Sequence, residues 1–289
     1  MKSKLSFFLV FLLIIPLVSC KKKEAEPDLS IIFLHHSTGS IIWRGESRSF
    51  ANKVAGRISD KLVKKMNSKG VLPSLFEAYN AENQVNYEIE EMAFPKQKPY
   101  GWNNFPYDYY NIWVKNEGET AYMEEPTLEM LSSEYQLIIF KHCFPVSNIE
   151  EDQATPDINS KTKTLANYKL QYAAIKEKLH EFPSTKFILF TGAVQVKANN
   201  TEEKAKRAKE FFEWVRQEWD EPGDNIYLWD LSSLQTEGGL YFKDEYALSP
   251  ENSHPNGEFA GMAVELLFNR IIDVAENDGK STLLTGRPK

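Results

Sequence analysis

Five short segments, 31–34, 85–92, 137–140, 187–190 and 226–231, carry the strand character of this chain, and four of them are apolar almost without interruption. A strand with one wet face alternates polar and apolar residues. A run with no polar face belongs to a strand covered on both sides, as in parallel sheets. Segment 85–92 does alternate, which assigns it to a sheet edge. Helical periods fall over 50–69, closed by Gly70, and over 165–179, 202–219 and 258–275. Asn200-Thr201-Glu202-Glu203 has the spacing of a capping box, and Phe259, Met262, Ala263, Leu266 and Leu267 recur at helix period. Strands alternating with helices predict an α/β/α sandwich, three layers around a five-stranded parallel sheet.

Segment 95–133 breaks this rhythm. It is rich in proline and asparagine, half of residues 100–113 are aromatic, and one short helix is expected over 126–131. A long irregular insertion in a compact domain is usually a lid or a binding loop. Its rings either pack the insertion onto the body or offer a flat face to a sugar, with Tyr100, Trp102, Tyr107 and Trp113 as the candidates.

The chain opens with Lys2 and Lys4, an apolar run over 7–18 and then Ser19-Cys20. This is the layout of an export signal, too short to span a bilayer with ease. Leu17-Val18-Ser19-Cys20 resembles the lipobox of bacterial lipoproteins, in which the cysteine becomes the lipidated first residue. The expected organisation is a signal peptide over 1–19, a lipidated tether over 20–28, one domain over 29–278 and a C-terminal tail over 279–289. The protein would sit at the cell envelope, anchored to a membrane through Cys20 on the periplasmic or cell-surface face. Cys143 is then the remaining thiol, so stability has to come from the core rather than from a disulfide. A net charge of −7 argues against nucleic acid as a partner.

In an open parallel sheet, ligands sit outside the carboxyl ends of the strands, where strand order reverses. His35-His36-Ser37 follows the first strand, Lys141-His142-Cys143 the third, and the loop holding His254 comes after the fifth. Four of the chain's five histidines therefore fall at one sheet edge. A serine on a tight turn after a buried strand needs a base to take its proton, and His254 is placed to supply one. The same edge invites a zinc reading through His35 or His36, His142, Cys143 and His254, but the spacing has no regular metal motif.

A serine after strand one and an acid-x-x-His before the last helix resemble the SGNH or GDSL-type hydrolases. The resemblance implies a flavodoxin-like fold over roughly 29–275 and hydrolysis of esters, often of acetyl groups on carbohydrates, with no metal or organic cofactor. It makes Ser37 the nucleophile, His254 the base and Glu251 the acid that orients the imidazole, with Asp244 or a backbone carbonyl as substitutes. The usual glycine-led opening is replaced by His35-His36, and Lys141-His142-Cys143-Phe144 stands where Gly-x-Asn-Asp is expected. The oxyanion asparagine is thus missing from its place, and such a donor contributes about 2.7–4 kcal/mol to a transition state. Candidates for oxyanion or substrate contacts are His36, Gly39, Asn104, His142 and Asn148, with Trp102 and Tyr107 from the insertion. The alternative expectation is a lipoprotein of the same fold that has lost efficient catalysis and binds a glycan or an envelope partner.

Overall fold

In a computed structural model of the chain, which describes residues 26–45, 70–152 and 155–289, β1 (Leu29–His35) lies inside a five-stranded parallel sheet of order β2-β1-β3-β4-β5. The other strands are β2 (Tyr87–Ala93), β3 (Leu137–Phe140), β4 (Lys186–Phe190) and β5 (Ile226–Trp229). Alternate residues serve opposite layers. Ile31 and Phe33 of β1 join one apolar cluster, Ile32 and Leu34 the other. The edge strand β2 pairs with β1 alone, and its polar positions face water.

The first helical layer holds α1 (Ser37–Arg44), α2 (Val71–Asn83) and the long α8 (Gly257–Asn277). The second holds α5 (Leu165–His180) and α6 (Glu202–Trp214). Thr164, Thr201 and Asn256 accept the backbone N–H of residues 167, 204 and 259, so three of these helices start on side-chain caps. Each aliphatic side chain removed from water between the layers stabilises the fold by about 1.5–3 kcal/mol. The result is the three-layer, flavodoxin-like arrangement expected from the sequence.

The insertion has more helix than its composition suggested. It contains α3 (Pro106–Tyr109), a π-helical turn over Tyr110–Lys115 and α4 (Leu128–Glu134). Residues 279–289, the expected C-terminal tail, return to the body. Leu284 O accepts from Asp230 N at 2.9 Å and Thr285 O from Trp229 Nε1 at 3.1 Å, beyond α7 (Leu231–Thr236) and the hairpin β6 (Ala247–Ser249) and β7 (Asn252–Pro255). The signal segment, Cys20, most of the tether and the helix expected over 50–69 lie outside the described residues. Among the described residues no helix is long and apolar enough to cross a membrane.

Candidate active site

β1 ends at His35 and α1 begins two residues later, so the chain turns sharply at the carboxyl edge of the sheet. Gly39 makes the turn possible. A β-carbon there would lie 2.4 Å from His35 Cβ, so any side chain would push α1 off the strand. Ser37 is the first residue of α1 and is exposed. The backbone N–H groups of a helix's first turn have no intrahelical acceptor and carry its positive end, which favours a negative oxygen beside them. Gly39 N–H is not free for that purpose, since it donates to His36 O at 2.7 Å.

His254 sits on β7, which packs against α1. One atom of Asn252 accepts from both the backbone N–H of His254, at 3.1 Å, and ring Nδ1, at 2.8 Å. A backbone N–H only donates, so that atom is the amide oxygen and Nδ1 carries the proton. Nε2 is left with its lone pair, the state a general base requires. Partial burial and the nearby Lys141 hold the imidazole below its ordinary pKa. Phe144 meets the ring edge-on at 5.2 Å between centroids, bringing the loop after β3 against the histidine.

Lys141, which the sequence reading did not single out, lies beneath this edge with 0% of its surface exposed. Among the described residues no carboxylate reaches its ammonium, and Nζ finds Cys143 Sγ at 3.7 Å. Burial pushes its pKa down. Its charge also acts on His35, His36 and His254, which marks it as the electrostatic centre of the cluster.

The remaining candidates divide. Glu251 does not hold His254: its carboxylate turns to Ser249 Oγ at 3.3 Å in solvent, and Asn252 makes the contact expected of it. Consecutive residues of an extended chain point to opposite faces, so His142 leaves Lys141's side and packs edge-on against Tyr109, its centroid 4.5 Å from the phenol ring. Buried with both ring nitrogens unpaired, it is held neutral at a pKa of about 3 by its burial.

Asn104 is spent on the fold. Its Oδ1 accepts from Cys143 N at 2.9 Å and its Nδ2 donates to Phe94 O at 2.6 Å. Trp102 and Tyr107 belong to the buried cluster of the second layer, which removes them as sugar platforms, whereas Tyr100 is 39% exposed. His36 Nε2 donates to Pro95 O at 2.5 Å, tying the turn to the start of the insertion. Asn148, half-buried after the turn Phe144–Ser147, keeps a side-chain amide with no hydrogen bond among the described residues. His35 packs on Phe33, 3.0 Å from Glu91 Oε2. Among the described residues no three metal-ligating side chains converge.

Fold and edge together define a three-layer α/β protein with an exposed helix-N-terminal serine and an oriented histidine on packed neighbouring elements. No protein-family model and no curated protein matches the chain. Among solved structures it is similar to a carbohydrate esterase whose active site "displays divergent catalytic and non-catalytic binding functions", with 12% identity over 86% of this chain and 70% of that one and a TM-score of 0.36. That likeness is too distant to transfer a residue role or an activity.

Proposed function

We propose that the chain is an exported serine hydrolase that cleaves an ester, with an ester of a carbohydrate as its substrate class. The observation that carries the reading is the state of His254, with Nδ1–H held by Asn252 and Nε2 bare, on a strand packed against the helix that begins with Ser37. In this reading Ser37 Oγ attacks the ester carbonyl while His254 Nε2 takes its proton. A tetrahedral oxyanion forms, and the alkoxide then leaves with the proton that His254 returns. Water repeats the cycle on the acyl-serine. The Ser37 N–H and the unspent amide of Asn148 are the donors assigned to the oxyanion. The carbohydrate half rests on the SGNH-type resemblance, and anchoring through Cys20 rests on the lipobox.

Asn104, committed to Cys143 and Phe94, favours a second reading, a glycan-binding protein of the same fold with little catalysis. A fluorophosphonate separates the two. For the hydrolase, one adduct on Ser37 appears by peptide mapping, is absent in Ser37→Ala, and forms at least about a hundred-fold more slowly in His254→Ala. A folded protein that takes no adduct is the binding protein, and glycan capture becomes the next assay.

A further inference from the structure

Lys141 and Cys143 stand two residues apart on an extended stretch leaving β3, so their side chains emerge from one face. Their backbones are fixed. Tyr109 Oη donates to Lys141 O at 2.8 Å, and Cys143 N–H is shared between Asn104 O and Oδ1, each at 2.9 Å. The amine and the sulfur face each other at 3.7 Å. Lys141 is wholly buried, with no acidic partner among the described residues, while Cys143 is half-buried and within reach of a small oxidant. A buried lysine beside a thiol has no structural need that a leucine or methionine would not meet at lower desolvation cost.

We propose that this pair is an oxidative cross-linking site, in which a peroxide oxidises Cys143 and the amine of Lys141 captures the product as a sulfenamide. In the first step the sulfur attacks one peroxide oxygen. The S–O bond forms, the O–O bond breaks, and the departing hydroxide leaves as water with the thiol proton. In the second step the amine lone pair attacks the sulfur of the sulfenic acid. The N–S bond forms, the S–O bond breaks, and the hydroxyl departs as a second water with an amine proton. Sulfur has lost two electrons, the peroxide has gained them, and the pair has lost two hydrogens. The second step needs an uncharged amine, and burial of Lys141 favours that form. The flexible four-carbon stem closes the remaining gap without moving the backbone. Capture stops the thiol short of sulfinic acid, the irreversible rung, and an added thiol reductant reopens the bond.

The site stands on the geometry of the pair and not on the hydrolase reading, and its readout is mass rather than turnover. The full chain is exposed to hydrogen peroxide and followed by intact mass and peptide mapping. The expected product has lost two hydrogens, resists trypsin after Lys141, fragments as a closed 141–143 ring and reverts with dithiothreitol. Lys141→Met, close in volume and without a nucleophile, should instead accumulate Cys143 sulfinic acid several-fold faster. Circular dichroism verifies that this variant is folded. A loss of two hydrogens that persists in Lys141→Met does not involve the amine and overturns the proposal. So does a Cys143 sulfenic acid that dimedone traps with Lys141 still cleavable, or sulfinic acid at equal rates in both proteins.

Discussion

At the scale of single residues, the bond from Asn252 to His254 fixes which ring nitrogen carries the proton. With the imidazole held below 6.5, His254 stays neutral in mildly acidic solution, so in the proposed hydrolase activity should fall only as pH drops through the lowered value. The acid limb of kcat/KM for ester hydrolysis should therefore lie below that of a free histidine. In Asn252→Asp, the carboxylate adds a favourable charge to the imidazolium, so the limb should move up by about one pH unit in a pH–rate profile. His142 makes a matching prediction for stability. Its folded pKa of about 3 lies below the unfolded 6.5, so the native state binds fewer protons, and stability is complete above 6.5 and drains away as pH falls towards 3. Between pH 6.5 and 5 the wild type should lose on the order of 2 kcal/mol from this group, and His142→Phe should abolish that share in urea titrations at the two pH values. Ser37 and His254 could be picked out as candidates because serine and histidine at strand ends draw attention to chemistry. Lys141 was not, because lysine is assigned to the surface by default and only the packed loop after β3 reveals its burial. Asn252 was equally hidden. Its two-residue spacing matters only once β7 is known to be extended, and Asn-Ser-His-Pro has no apolar alternation to say so.

At the scale of elements, the turn from β1 into α1 is the least forgiving part of the site. Gly39→Ala puts a carbon 2.4 Å from His35 Cβ, an overlap with a rigid strand end rather than with a flexible tip. The expected cost is about 1–3 kcal/mol in a denaturation midpoint, together with slower fluorophosphonate labelling of Ser37 as α1 is displaced. The sequence revealed the strands and long helices for a plain reason: both faces of β1, β3, β4 and β5 are buried, and α6 and α8 announce their caps. Within the insertion α4 falls where one short helix was expected, whereas the helical turns over 106–115 stayed hidden because prolines and clustered aromatics mask a 3.6-residue period, and because rings there pack through contacts far apart in sequence. Glu251 shows the opposite error. Its spacing before His254 matched a family pattern, but the hairpin turns its carboxylate outward.

At the scale of the whole molecule, the insertion is fastened to the body at both ends of its span. Asn104 bridges it to the loop after β3, and Lys178 of α5 gathers Glu117 and Glu129 of the insertion together with Glu181. Asn104→Gly removes the amide bridge without straining a backbone held at φ 57°. The loss should be about 1–3 kcal/mol by chemical denaturation, with faster proteolysis within 95–133 as the second readout. Of the two roles expected for the insertion, lid or binding loop, such double fastening favours the fixed one: it is masonry. An insertion pinned in this way is no door to close behind a guest, so whatever selection it exerts happens on arrival. If the proposed hydrolysis holds, rigid, preshaped esters should be favoured over floppy ones of the same composition, because the insertion contributes no closing motion to fold them into place.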